Sequence, residues 1–224
     1  MDTGRLATHE ASLCSNPIRM DGYKRLYERL MGGLSHRAGM RLFRFFSLDP
    51  GGESGIPAPS GIRFRLLSER EVVVLCADSA LDLRKEAASA AYSRGDLCVG
   101  AFDSDELVGY GWLAFGAVPH LDGAWVEFNQ TVAWTYKTFV RPSRRGKGIA
   151  PALYRFAAAA GREHGRSVSL ICVESHNAPS VAAALNAGYA AAGYGGYLLR
   201  PTGLRTWLSR AASLYGIGFF LPRS

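Results

Sequence analysis

The most constraining stretch of this chain is a strand that ends in a proline and hands over, through two glycines, to a helix. Val132 to Val140 is rich in β-branched and aromatic residues and reads as a strand. Arg141-Pro142 stops it, because proline has no N–H to give to a ladder. From Gly148 a helical pattern continues through Leu153, Tyr154, Phe156 and Ala157. Between the two lie Arg144, Arg145, Gly146, Lys147 and Gly148. Glycine lets the backbone turn tightly and approach a ligand closely. The first N–H groups of a helix are unsatisfied and carry the positive end of its dipole. A strand, a basic glycine turn and a helix start therefore predict an anion site of the phosphate-binding kind. It is not a P-loop, since Lys147 is followed by Gly148 and not by Ser or Thr.

A chain of 224 residues with 48% hydrophobic content suits one medium domain with an extension, or two small ones. No apolar run is long enough to span a bilayer, and no apolar stretch follows Met1-Asp2-Thr3 as a signal peptide would require. Cys14, Cys76, Cys98 and Cys172 are scattered without a C-x-x-C, so the expectation is reduced thiols, no metal site and a cytoplasmic protein. The formal charge of +7 comes without zinc-finger spacing or an RNA-recognition motif, so no nucleic-acid partner is expected.

Three segments follow from the pattern. Residues 1–61 are expected to form an N-terminal helical arm and a linker. Tyr23, Leu26, Tyr27, Leu30 and Leu34 share a helical stripe, basic residues interleave, and the helical reading extends to Phe46. Asp49 to Gly61 is rich in Gly, Pro and Ser, as linkers are. Residues 62–200 form the main domain, in the order β-α-α-β-β-β-α-β-α-β-β. Ser68-Glu-Arg-Glu71 has capping-box spacing and Asn177 is a good N-cap. Residues 201–224 are expected to form an amphipathic helix, with Leu204, Trp207, Leu208, Ala211, Leu214 and Tyr215 on one face. Packing of the terminal helices on the core, homodimer formation through them, and peripheral contact with an anionic membrane all remain open.

Arg145-x-x-Gly148-x-Ala150, preceded by Val140-Arg141-Pro142, resembles the pyrophosphate-binding signature of the GNAT superfamily of N-acetyltransferases. Asn177-x-x-Ser180 leading to Gly188-Tyr189 resembles that family's closing motif, and the element order is similar from Ile62 to Arg200. The resemblance implies an α/β (α+β) GNAT fold: a mixed, mostly antiparallel central sheet, flanked by helices and splayed between its fourth and fifth strands. It implies acetyl-CoA as acyl donor and an amine as acceptor, with direct attack in a ternary complex. A longer acyl donor, a membrane-linked acceptor, or a non-catalytic acyl-CoA-binding module are the alternatives.

Carried over residue by residue, the resemblance places the pyrophosphate on the backbone of Arg145, Gly146, Lys147, Gly148, Ile149 and Ala150. The side chains of Arg144, Arg145 and Lys147 add charge. The backbone of Phe139 and Val140 pairs with the pantetheine arm, Asn177 lines it from the other side, and the Val140 N–H is the candidate oxyanion donor. A base is needed to deprotonate the amine. Glu174, at the end of the fifth strand, is preferred over His176, Glu127 and Tyr136. The family's usual tyrosine acid falls on Ala184 here, leaving Tyr194 or Tyr197 as replacements.

Overall fold

The computed structural model describes residues 39–49 and 59–222. The stripe from Tyr23 to Leu34 and the centre of the Asp49–Gly61 linker lie outside the described residues. Eleven strands and five helices follow in chain order. They are β1 (Met40–Leu48), β2 (Ile62–Leu67), α1 (Glu69–Leu75), α2 (Lys85–Ser93), β3 (Leu97–Asp103) and β4 (Glu106–Ala114). Then come β5 (Val118–Pro119), β6 (Trp125–Glu127), β7 (Val132–Val140), α3 (Ile149–Glu163), β8 (Val168–Glu174) and α4 (Ala178–Asn186). The last are β9 (Ala190–Arg200), β10 (Gly203–Leu208), α5 (Arg210–Ser213) and β11 (Gly218–Phe220). The expected capping box is present: Ser68 accepts from Glu71 N–H, and the Glu71 carboxylate accepts from Ser68 N–H.

Eight strands form one sheet in the order β10-β9-β1-β8-β7-β4-β3-β2. Every neighbouring pair is antiparallel except β7 and β8. A smaller sheet, β11-β6-β5, packs on one face beside α1 and α2, while α3 and α4 cover the other. The mixed, mostly antiparallel architecture is the one expected.

Two expectations about the chain ends are corrected. Met40–Leu48 is a strand, not the continuation of a helix, and it lies inside the sheet between β8 and β9. Arg41, Phe43 and Phe45 alternate into one face, and aromatic residues suit a strand paired on both sides. The folded unit therefore takes in residues before Ile62. The C-terminal segment is not an amphipathic helix either. Gly203–Leu208 pairs along β9, only Arg210–Ser213 is helical, and Gly218–Phe220 joins the small sheet. Glycines on β9 make this possible. A Cβ at Gly196 would run into the Arg41 carbonyl and the Trp207 ring, so only glycine lets β10 lay its tryptophan there. Leu204 and Trp207 match a helical stripe, but strand pairing with a glycine-lined neighbour overrides it.

The returning tail closes the core. Phe219 packs against Phe43, Tyr197 and His120, with ring centroids 5.5, 5.2 and 5.4 Å apart. It is only 7% exposed. Phe219→Ala should destabilise the fold by about 3–5 kcal/mol in chemical denaturation. A change below about 1 kcal/mol would mean that the tail is not part of the core.

His120 sits edge-on to Phe43 at 4.8 Å. Burial among these rings, and then the Arg41 charge, depress its pKa to about 4. Its folded pKa lies below the unfolded value, so between pH 6.5 and 4 the unfolded chain takes up a proton that the folded chain refuses. Stability should fall as pH drops through that window, with a slope of up to about 1.4 kcal/mol per pH unit from this group. Denaturation curves at pH 7, 6 and 5 should show a steeper loss in the wild type than in His120→Leu. Identical slopes would exclude His120 as a source.

Candidate functional site

The sheet is interrupted where β7 meets β8. These strands are the two parallel neighbours, and they pair only from Val132–Val168 to Thr135–Ile171. Past that point they part, although β7 runs on to Val140 and β8 to Glu174. The ladder on the other side of β7 stays intact apart from a bulge next to Lys137, which takes φ 44°. Arg141 N–H donates to Val108 O at 2.9 Å, which makes Gly109–Val140 a non-hydrogen-bonded pair. The N–H and C=O of Val140 therefore face away from β4, towards the open edge. Phe139 belongs to the alternate pair, opposite Tyr110, and its polar backbone groups face β4. The expectation that the Phe139 backbone pairs with a pantetheine arm is thereby corrected: the ladder already uses those groups.

Beyond β7, a single turn of tight helix (Pro142–Arg144) leads to Gly146 and Gly148, both with left-handed φ, 76° and 75°. Arg144 and Arg145 N–H donate back to Arg141 and Pro142, closing the turn. The N–H groups from Gly146 to Ala150 donate to no backbone carbonyl of the described residues. They crown the N-terminus of α3, a fifteen-residue helix whose N-cap, Gly148, supplies no side chain. Among the described residues, a Cβ at Gly146 would meet nothing, and one at Gly148 only the Pro59 ring at 3.6 Å. This is an open concave nest of amide donors at a helix start, the geometry that holds phosphate oxygens.

The three basic side chains of the turn divide their work. Arg144 is committed to Asp103 at 2.6 Å and Glu106 at 3.2 Å. Arg145 Nε donates to Val140 O at 3.1 Å, fastening the turn to the strand end. Lys147 is exposed, with no ion pair among the described residues. Of the three, Lys147 is wholly free and Arg145 has no acidic partner among the described residues, and the sequence alone does not separate them from Arg144.

A cavity of about 590 Å³ fills the gap between the parted strands and extends under α2. Glu174 and Asn177 line it, as does Tyr136. Asn177 also caps α4 by accepting from Ser180 N–H at 3.2 Å, the capping role expected of it. Three residues on from Thr135–Ile171 in each strand, Glu174 stands about level with Thr138 across the gap. Its Oε1 accepts from Arg41 Nη1 at 2.8 Å, and the same guanidinium donates to both oxygens of Asp122, at 2.6 and 2.8 Å. Hydrogen bonding to Asp122 above all keeps Arg41 firmly protonated, against its burial. Glu174 is thus an oriented carboxylate. His176 and Glu127 lie outside the lining.

The replacement acids considered from sequence do not reach the cavity. Tyr194 is 65% exposed on the sheet face, and the Tyr197 hydroxyl donates to Leu121 O at 2.9 Å. Ala184 is fully buried against Tyr154 and Tyr189. A second tyrosine lining the gap beside Tyr136 is Tyr154 of α3, which lies near the Thr138 side chain and is held protonated by burial. It is legible in sequence only as one more apolar position of a helix. Also unforeseen are the Arg41–Asp122 pair, and Cys172, whose Sγ lies 3.8 Å from His120 Nε2 and whose thiol is pushed up by burial. Tyr136 was considered as a base, but its hydroxyl donates to Asp96 at 2.7 Å. Among the described residues no cluster of His, Cys, Asp or Glu is placed to hold a metal ion.

Comparison with known proteins bears on this arrangement. The chain is similar to a GNAT-family protein from Novosphingobium aromaticivorans, with 19% identity, 69% of this chain and 61% of that one covered, and a TM-score of 0.48. It is also similar to a GCN5-related N-acetyltransferase from Sphaerobacter thermophilus (18% identity, 84% and 56% covered, TM-score 0.48). A third likeness is to an acetyltransferase from Salmonella typhimurium solved with its cofactor acetyl-CoA (16% identity, 58% and 79% covered, TM-score 0.43). The chain spans about 56–64% of the length of the first solved structures it matches. No curated protein matches it. Residues 66–189 match the model of the acetyltransferase (GNAT) family, from β2 through the amide nest to the end of α4, and the chain belongs to that family.

Proposed function

We propose that the protein transfers an acetyl group from acetyl-CoA to an amine by direct attack, with both substrates bound at once. The observation that carries this reading is the succession of three features along one stretch of chain: the cavity lined by Thr138, the open edge of β7 at Val140, and the amide nest at Gly146–Ala150. A pyrophosphate at the nest leaves the rest of an acyl-CoA to run along an unpaired strand edge into that cavity, as an added strand would. The family membership and the acetyl-CoA of the Salmonella structure support the donor.

The chain's own groups then divide the chemistry. The Val140 N–H, free on the open edge, is assigned to the thioester oxygen, where negative charge develops. Glu174 is assigned as the base that takes the amine proton, directly or through water. An alkylamine of ordinary pKa holds its proton at neutrality by about three units, roughly 4 kcal/mol, so a base is useful. The orienting contact from Arg41 fixes the carboxylate while leaving its second oxygen for this task. Tyr154 is assigned as the proton donor to the departing thiolate, in place of the residue absent at position 184. A thiol near pKa 8.5 leaves tolerably well unaided, so this acid is an aid and not a requirement.

Acetyl-CoA at about 100 times its dissociation constant should stabilise the wild type by about 2.7 kcal/mol in thermal unfolding. Gly148→Glu places a charge among the phosphate donors and a side chain on a left-handed backbone, and should abolish that gain. Equal stabilisation of the variant would remove the site from the nest. In steady-state kinetics, Glu174→Gln should lower kcat by about 100-fold while acetyl-CoA affinity is unchanged. A kcat within twofold of wild type would take the base role from Glu174.

A further inference from the structure

The cavity carries charge that acyl transfer itself does not call for, and that charge is divided between its walls. Glu174 stands on the β8 wall. On the opposite wall, formed by α2 and the outer part of β7, stand Arg84 and Lys137. No acidic side chain of the described residues pairs with Arg84. Lys137 reaches only Asp82, at 3.9 Å, and that carboxylate is 70% exposed, so the pairing is weak. The cavity's third cation, Arg94, is neutralised in place. It donates to Asp96 at 2.7 Å, and Asp96 is 2% exposed. Among the described residues lining the cavity, Arg84 and Lys137 are the uncommitted cations.

The space between the walls is mostly apolar. Ala87, Ala88 and Ala91 of α2 present only methyl groups, with Trp112 behind them. A cavity with a carboxylate on one side, two free cations on the other and apolar lining between complements a small molecule with an amine at one end and an anion at the other. The cations also have no duty in the phosphate nest, which lies past the end of β7 and has Lys147 of its own.

Resting on the acetyltransferase reading, we propose that the acceptor is a small amine bearing a carboxylate or phosphate group, held by Arg84 and Lys137 with its amino group towards Glu174. Arg84 offers a planar fork to two oxygens and Lys137 a point charge. The same chemistry would also suit a phosphate of the acyl donor, and the test separates the two sources.

The experiment is calorimetry on wild type and the double variant Arg84→Gln/Lys137→Gln. Acetyl-CoA is titrated first, and both proteins should bind it alike, within about twofold. The CoA-loaded proteins are then titrated with two probe pairs: phenylalanine against phenylalaninamide, and glucosamine 6-phosphate against glucosamine. In at least one pair the anionic member should bind wild type about tenfold more tightly, as one charge-assisted contact provides, and the double variant should lose that preference. Equal binding within both pairs, or no binding of any probe, overturns the proposal. So does a double variant that loses affinity for acetyl-CoA but not for acetyl-pantetheine, which would assign the cations to the donor's phosphates. A wild type that fails to bind acetyl-CoA in the first titration instead overturns the parent reading, and is recognised before any amine is added.

Discussion

Among the described residues, β7 past Thr135 has β4 on one side and no strand on the other. An unpaired edge inside a sheet is an expensive arrangement, because backbone N–H and C=O groups shut away from water need partners. Elsewhere this fold spends much of its chain on avoiding it: β1 is threaded between β8 and β9, and the tail returns to flank β9 and then to add a strand to the small sheet. The gap opens where a bulge at Lys137 interrupts β7, just past the last parallel pair with β8. The cavity, the free Val140 amide and the approach from the nest all follow from that parting.

The two halves of the site are built from different parts of the chain. The half proposed for the donor is local: β7, the glycine turn and the start of α3 are consecutive, and its groups are mostly backbone amides. The half proposed for the acceptor is assembled from distant segments. The register of β1, with Phe43 opposite Glu174 on one side and Gly195 on the other, brings Arg41 to the end of β8. There its guanidinium ties Glu174 to Asp122, on the connection between β5 and β6. That connection is in turn held by Phe43 and Phe219 through His120, so both chain ends buttress one carboxylate. Removing one partner of such a buried pair leaves a charge without compensation, typically at about 3–5 kcal/mol. The interaction is better read as positioning Glu174 than as a net source of stability.

This division explains what the sequence discloses. The nest is legible because glycines at positive φ, a proline stop and a helix start are local requirements written in neighbouring residues. The order of the main-sheet strands and the helices from β2 to α4 is legible for the same reason, through caps such as Ser68 and Asn177, whereas the short strands β5 and β6 were not expected. β1 and β10 are not. Their apolar positions fit a helical stripe as well as a strand, and only pairing with β8 and the glycines of β9 decides between them. Arg41 is hidden with them, since a basic residue at the edge of an expected helical arm looks like a solvated charge. Arg144 errs in the other direction: it sits in the motif, yet Asp103 and Glu106, from the β3–β4 hairpin, claim it.

The residue at position 184 shows how packing and chemistry trade places. Ala184, Tyr154 and Tyr189 share one cluster beneath β8, and close packing admits a limited volume there. With tyrosine at 154 and 189, a small residue at 184 is what the remaining space accepts; a third ring would overpack a fully buried position. Tyr154, one of two tyrosines that reach the cavity, comes from α3, the same helix whose N-terminus forms the nest. On the proposed reading, the phosphate end of the donor and the proton for its sulfur would both be served by one rigid element, and a shift of α3 would move both together.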